Sequence, residues 1–344
     1  MGFSIVIGIV VAAFLSLYPM DYYIMKPGSA HDVSQYIEVD AGDDNDEGTL
    51  NLMTIAMMPA SPISYAMAHM LPHRELMKAE EVRYEGEDDE EYNVRQTKLM
   101  TDSQFSAKYV AYTLAEKPFD VTYNGVYVLN VLDDSAADGI LKAGDEIRAI
   151  DQKPLEKAED VARLIDTYSE GDTVSLTIVR DNDELEKSIT LAPLPGEEER
   201  IGVGMTFAGN QTITTTPDVT SQAEDIGGPS AGLMFTLEIY NQLVDEDITK
   251  GYNVAGTGEM LTDGTVGRIG GADFKVVAAA NDDMDIFFAP DDVTEEMRNE
   301  YPELQSNYEE ALAAAKEIDT DMDIVPVKTV QDALDYLASL PPKK

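Results

Sequence analysis

The sequence predicts an α+β multidomain protein with an N-terminal membrane anchor, a small β-rich unit and a larger α/β unit. Three observations lead there. Phe3 to Met20 carries no charge. Between Pro118 and Leu194 the apolar pattern reads strand, turn, strand, helix, strand, strand. Further on, Ser230 sits in a turn of glycines and proline that runs straight into a long apolar stretch. With 344 residues, 44% of them apolar, the chain has room for two or three cores of roughly 100–200 residues each.

Composition narrows the function classes. The 66 acidic residues against 24 basic ones leave a net charge of -42, a field that repels nucleic-acid phosphates. The acids are spread along the whole chain, which reads as a solvated surface; the sharper alternative is a preference for cationic partners. Cysteine is absent, so disulfides, thiol catalysis and zinc–thiolate sites are excluded. The histidines are His31, His69 and His73, and no imidazole base follows the first quarter of the chain.

The opening MGFSIVIGIVVAAFLSLYPMDYYIMKPG predicts an anchor over residues 1–25. Its uncharged run is about as long as the minimum for a spanning helix, and Tyr18, Tyr22 and Tyr23 stand where an interfacial aromatic belt would lie. A cleaved signal peptide would carry a basic leader and a small-residue cleavage site; neither is present. The acidic bulk that follows places the body outside. The expectation is a single-pass cell-membrane protein with an extracytoplasmic body.

Residues 26–117 read as a mixed, irregular region. Gly48 to Met58 predicts a strand, Ser61 to Leu71 a short helix, and Asp89 to Lys117 one or two amphipathic helices. His69 and His73 have helical metal-ligand spacing. Without a neighbouring carboxylate, packing of a Met-rich face is the preferred reading and no metal site is expected.

Residues 118–195 form the β-rich unit. Gly125 to Leu132 is β-rich, Gly144-Asp145 marks a turn into a strand ending at Ile150, and Ala158 to Tyr168 predicts a helix with Val161, Leu164 and Ile165 on one face. Gly171 to Asp181 and Leu185 to Leu194 give two closing strands. A polar joint, Pro193 to Gly202, then leads into the α/β unit, residues 196–344.

Within that unit, GGPSAG places Ser230 at the entrance to a helix whose buried face is predicted to hold Leu233, Met234, Leu237 and Tyr240. Serine at a helix entrance is also an ordinary cap. A phosphate loop of the Walker type needs a lysine directly after its glycines, and no lysine lies between Lys187 and Lys250. A catalytic serine here therefore needs a desolvated lysine as its base. Of the lysines after residue 200, Lys250 lies in a polar turn, Lys316 on a charged helix, Lys328 after a short strand, and Lys343 and Lys344 in the tail. Only Lys275 precedes a long apolar run, VVAAA, and closely follows IGGAD and Phe274.

Two resemblances follow. The segment SAADGILKAGDEIRAIDQKPL resembles the PDZ domain of bacterial proteases, and the likeness covers nearly all of 118–195. It implies a peptide paired to a strand edge, with its C-terminal carboxylate at a glycine loop. The matching positions are Asn124, Gly125, Val126 and Tyr127, and the helix Ala158 to Tyr168 forms the other wall. The alternative is a PDZ fold that only packs against its neighbour.

GGPSAG, followed by TGEMLTDGTVGRIGGADFKVVAA (Thr257 to Ala279), is similar to the proteolytic domain of Lon proteases from about Ile201 onward. The resemblance implies Ser230 as nucleophile, Lys275 as general base and Thr257 as the residue that orients the lysine. The backbone of Gly227, Gly228 and Pro229 is expected to shape the oxyanion loop, and Gly270 and Gly271 the turn that delivers Lys275. Gly227 stands where an acidic residue often opens the Lon motif.

The whole resembles the membrane-anchored, PDZ-containing Lon-like serine proteases of Gram-positive bacteria. It implies an ATP-independent endopeptidase that needs no cofactor and acts on peptides or proteins near the membrane, with a homo-oligomer left open. A membrane-anchored PDZ scaffold with an inactive hydrolase-like domain is the alternative.

Overall fold

A computed structural model describes residues 2–42, 47–84, 87–223 and 226–343. By contacts the chain divides into two discontinuous units: Met1–Glu85, Val219–Gln222 and Pro229–Lys344 form the first, and Gly86–Asp218 with Ala223–Gly228 form the second.

The chain enters through helix α1 (Gly2–Leu17), then strands β1 (Tyr22–Asp32), β2 (Ile37–Val39) and β3 (Thr49–Pro59). Helix α2 (Pro62–Ala68), strand β4 (Glu75–Lys78) and the short α3 (Ala79–Val82) complete this N-terminal part. Ser61 starts α2 through a capping box with Ser64, and Pro62 occupies the first turn, where its missing N–H costs nothing.

Among the described residues, no helix is long and apolar enough to cross a membrane. The predicted anchor is also shorter than its boundary. Tyr22 and Tyr23 are strand residues of β1, paired with Lys78 and Met77, rather than a belt at a helix end. His69 caps α2 and His73 lies beyond it in a left-handed conformation, so the two never share a helix face. The Met-rich face expected to pack is instead open, with Met70 84% exposed.

The second unit begins with one continuous helix, α4 (Asp89–Leu114), capped by Asp88 and Glu91 with two further acids, Asp89 and Glu90, in its first turn, where the helix dipole favours negative charge. It continues with β5 (Phe119–Val131), β6 (Glu146–Ile150), β7 (Lys153–Pro154), α5 (Glu159–Ile165), β8 (Thr173–Arg180) and β9 (Asp183–Thr190). The predicted joint is a hairpin, β10 (Ala192–Leu194) with β11 (Glu197–Gly202). β12 (Met205–Thr215) then returns to the sheet, whose order is β12-β5-β6-β8-β9. The expected boundary at 196 is thus displaced, because β12 pairs with β5 over nearly its whole length. Val126, Val128, Ile147, Leu176 and Ile178 fill this unit's core.

The chain re-enters the first unit through β13 (Val219–Ser221), which pairs with β2. There follow α6 (Gly232–Leu243), β14 (Asn253–Gly256), β15 (Glu259–Met260), β16 (Val266–Gly267), α7 (Ala272–Asn281) and β17 (Ile286–Pro290). The chain closes with α8 (Glu295–Glu300), α9 (Asn307–Glu317), β18 (Asp323–Val327) and α10 (Val330–Ser339). The six-stranded sheet runs β18-β17-β14-β3-β1-β4; its first four strands are parallel, β1 runs against them, and β4, antiparallel to β1, runs in their direction again.

Residues 26–117 are therefore not a region of their own. β3 lies inside this sheet, with Leu50, Asn51, Leu52 and Met53 buried, and α4 belongs to the second unit. The parallel strands carry helices on both faces, as their uninterrupted apolar content requires. Along β17 the side chains alternate: Phe287 and Ala289 join the core under α7 and α9, while Phe288 faces Tyr336 of α10.

The β12–β5 pairing makes a prediction. Residues 118–195 expressed alone lack the strand that covers β5, whereas residues 87–218 carry it. Full burial of a Met or Phe side chain contributes about 1.5–3 kcal/mol; Met205 and Phe207 are partly buried, so the longer fragment should be more stable by about 1–3 kcal/mol in urea unfolding. Equal midpoints and slopes would contradict the boundary drawn here.

Candidate active site

The site in the first unit lies at the C-terminal end of the parallel strand β14, the end at which open α/β sheets expose reacting groups. Thr257 is the first residue past β14, and its N–H donates to the Phe288 carbonyl (3.1 Å). Ser230 lies in the short turn Pro229–Ala231 that precedes α6. Two hydrogen bonds lock these segments together: Gly258 N–H to Ser230 O (3.0 Å) and Leu233 N–H to Gly258 O (3.1 Å). The expected face of α6 is buried at Leu233, Met234 and Leu237, while Tyr240 is only partly so. The cap of α6 is Ala231 and receives no side-chain hydrogen bond, so helix capping does not explain the serine.

Lys275 arrives from the other side of the sheet, in the first turn of α7. Gly271 precedes that helix with φ +68°, and a Cβ there would come within 2.4 Å of Ile55 Cδ1; only glycine fits the turn. The loop before it is held by Asn307, which is fully buried. Its Oδ1 accepts from Ile269 N–H (2.8 Å) and its Nδ2 donates to Ile269 O (3.0 Å). Asn307 was not singled out from sequence; an asparagine on a distant helix start carries no local mark of this role.

Lys275 Nζ stands 2.7 Å from Ser230 Oγ and donates to Thr257 Oγ1 at 3.0 Å. Thr257 is fully buried and spends its own proton on the Ser230 carbonyl (3.1 Å), so its oxygen presents a lone pair to the amine. Lys275 is 3% exposed. Burial pushes its pKa down from the usual 10.5 to about 7, because the charged form loses water and, among the described residues, gains no carboxylate in return. Near neutral pH a large share of the amine is unprotonated and able to accept the Ser230 proton.

The expected oxyanion loop is less complete. Pro229 has no N–H to donate. Gly227 and Gly228 fall in the second unit, where the Gly228 N–H donates to Gln96 O (3.3 Å). Among the described residues no group of His, Cys, Asp and Glu could hold a metal ion.

In the second unit, the positions proposed for peptide binding do not form a free edge. Val126 and Tyr127 pair with Gly209 and Ala208 of β12 on one side and with Ile147 and Glu146 of β6 on the other. Asn124 donates to Thr212 of β12 (3.2 Å), and Gly125 sits beside the bulge in that pairing with φ +85°. The edge strand is β12 instead. Between β12 and α5 opens a cleft of about 110 Å³, lined by Val161, Ala162 and Ile165 on the helix and by Met205 and Phe207 on the strand.

The run Ile201-Gly202-Val203-Gly204 closes one end of this cleft, with Arg200 beside it. The Val203 and Gly204 carbonyls accept from Ala137 and Leu132, while among the described residues their N–H groups meet no acceptor. Gly204 has φ +85°, and a Cβ there would strike Ser135 at 2.2 Å. The signal in the sequence was Gly-Val-Gly followed by apolar residues at alternate positions, Met205 and Phe207; it was obscured by reading Pro193 to Gly202 as a linker.

With both geometries in place, the comparisons divide the chain in the same way. Residues 112–191 match the PDZ domain family, and residues 218–338 match the Lon protease (S16) C-terminal proteolytic domain. The chain is 36% identical over 80 residues to Protease Do-like 8, chloroplastic, of Arabidopsis thaliana, covering 20% of this chain and 18% of that protein. It is 31% identical over 90 residues to the Probable periplasmic serine endoprotease DegP-like of Ectopseudomonas mendocina (strain ymp), covering 26% and 19%. The chain thus spans less than a fifth of either relative.

Among solved structures, the PDZ domain of the SdrC-like protein from Listeria monocytogenes is 32% identical, covering 26% of this chain and 92% of that one, with a TM-score of 0.24. Its counterpart from Listeria innocua is 34% identical, covering 24% and 92%, with a TM-score of 0.23.

The buried lysine predicts a stability signature. Its folded pKa lies below the unfolded value, so the unfolded chain holds more protons between pH about 7 and 10.5 and stability rises with pH across that window. Below it the penalty is fully present. Lys275→Met removes the charge at similar volume. The variant should exceed the parent in stability near pH 6.5, by on the order of 1–3 kcal/mol, and lose that advantage toward pH 10. Urea unfolding at both pH values measures it; an advantage that does not change with pH would show that the amine is not desolvated.

Proposed function

We propose that the chain is an ATP-independent serine endopeptidase that uses a Ser230–Lys275 dyad on extracytoplasmic peptides or membrane-tethered proteins. The observation that carries this reading is the buried amine 2.7 Å from a serine hydroxyl. The match of residues 218–338 to the Lon proteolytic domain supports it, and the sequence holds no Walker motif. Unprotonated Lys275 takes the Ser230 proton as Oγ attacks a peptide carbonyl. The ammonium so formed gives its proton to the leaving amine, and an ester to Ser230 remains. Water, deprotonated by the same amine, then releases the acid. Thr257 accepts one N–H of Lys275 and thereby turns its lone pair toward Ser230; it is a positioning residue.

The match of residues 112–191 to the PDZ family supports capture of peptide C-termini, with the cleft between α5 and β12 as the place. A strand laid along β12 would meet its unpaired edge, and a terminal carboxylate would meet the free N–H groups of Val203 and Gly204 next to Arg200. Membrane anchoring rests on the uncharged run to Met20 and on the open side chains of α1, Phe3 at 81% and Leu17 at 79% exposure. The acidic body supports an extracytoplasmic location.

Ser230→Ala and Lys275→Ala should each abolish cleavage of an unfolded protein substrate with the fold kept. Lys275→Arg should do the same, since a guanidinium stays charged. Parent activity should rise with pH through about 7, following the amine, and be indifferent to ATP. Near-normal turnover by Lys275→Ala at pH 7 would refute the dyad, and no cleavage by the parent at any pH would favour an inactive scaffold. Thr257→Val should lower kcat about tenfold with KM nearly unchanged, the loss expected of one positioning hydrogen bond.

The cleft has its own test. Peptides with an apolar C-terminus, titrated onto full-length Ser230→Ala, should bind about tenfold more weakly once the terminal carboxylate is amidated. Equal affinity would remove the carboxylate cradle.

A further inference from the structure

The first unit carries an apolar surface that neither the dyad nor the sheet core uses. It is formed by α2 and the turn after it, where Ile63, Met67, Met70 and Leu71 are open, together with Met58 at the end of β3, which pairs with Ile24 on the face that α2 covers. Soluble monomers seldom leave so much contiguous apolar surface uncovered. We propose that this surface lies in the lipid interface, so that the catalytic unit rests on the bilayer beside α1. The inference depends on the reading that α1 is embedded in a membrane.

Three observations commit the surface to lipid. The first is continuity. α1 touches α2, Met20 N–H donates to Ala60 O (2.9 Å), Ala60 N–H donates to Tyr22 O (2.7 Å), and the Tyr22 and Tyr65 rings meet edge to face at 5.1 Å. The surface therefore starts where α1 ends.

The second is charge. In a chain with 66 acids, none occurs before Asp21 or between Glu47 and Glu75. Those two acid-free stretches are the ones that build the patch. Its polar groups are Tyr65, His69, His73 and Arg74, residue types that suit a headgroup layer. A carboxylate at this depth would be expelled; the nearest acids, Asp21 and Glu75, stand at its borders.

The third is length. The 16 residues of α1 make a helix of about 24 Å, against a hydrocarbon core of about 30 Å. A short span is accommodated by thinning the bilayer or by drawing in its flanks. The flank of α1 is this patch.

The absence of cysteine allows one nitroxide label per molecule. Full-length Phe14→Cys, Ile63→Cys, Met70→Cys and Tyr301→Cys, each labelled and reconstituted in phosphatidylcholine vesicles, report depth through collisions with oxygen and with a water-soluble nickel chelate. Tyr301 is exposed elsewhere on the unit and serves as the aqueous reference. The Phe14, Ile63 and Met70 labels should be rich in oxygen and about threefold or more less accessible to the chelate than the Tyr301 label. A Phe14 label in lipid with Ile63 and Met70 labels in water overturns the inference and leaves the anchor standing. All labels in water overturn both. Ile63 and Met70 labels shielded from oxygen and chelate alike report a protein partner, and that also overturns it.

Discussion

The site depends on one constraint: an amine is held out of water with no anion among the described residues to compensate it. For a lysine this costs stability at neutral pH, and the fold bears that cost by packing Lys275 into the first turn of α7, among Ala272, Phe274, Val276 and Val277, all buried. The same burial that makes the lysine expensive makes it a base. A carboxylate near Nζ would hold the proton and end the chemistry, so the absence of a counter-charge matters as much as the presence of the hydroxyl.

The sheet explains how the three side chains meet. Ser230 belongs to the segment that leads into α6, and Lys275 to α7 on the opposite face. They can touch only at the strand end between those helices, and Thr257 stands there as the first residue past β14. Gly271 and Asn307 set the approach of α7. The N-terminal strands are part of this device. β3 sits beside β14 in parallel, and the end of the Ile55 side chain packs against position 271, whose left-handed backbone favours glycine. The sheet that aims the dyad is closed by residues placed some two hundred positions earlier.

That long-range pairing marks the limit of what the sequence discloses. Ser230 and Lys275 were legible because chemistry left few candidates: no cysteine, no histidine after His73, and one lysine with apolar neighbours; Thr257 was legible only through the resemblance to the Lon proteolytic domain. The strand order of the β-rich unit was legible from alternation and turn residues. The role of β3 was not, since an apolar strand looks the same whichever strand it pairs with. Nor was the edge of the second sheet. The resemblance to a PDZ domain placed the peptide at the strand of Asn124 to Tyr127, but β12 returns from beyond the hairpin to cover that strand and becomes the edge itself. Asn307 escaped for the same reason: its partner Ile269 is distant in sequence.

The acidic composition sets a final condition on the dyad. With a net charge of -42, the average environment of a cation in this protein is strongly negative, which raises lysine pKa values rather than lowering them. Screening confines such effects to about 8–10 Å at ordinary ionic strength, so Lys275 escapes them only if carboxylates are kept from its pocket. Asp273 is the nearest acid in sequence, yet two residues along a helix place it on a different face, and desolvation is the one cause that moves the lysine. The charge pattern of the first unit is therefore a design of exclusions. Acids are abundant on the body, absent from the apolar stretches at 1–20 and 48–74, and turned away from the one amine that must be neutral to react.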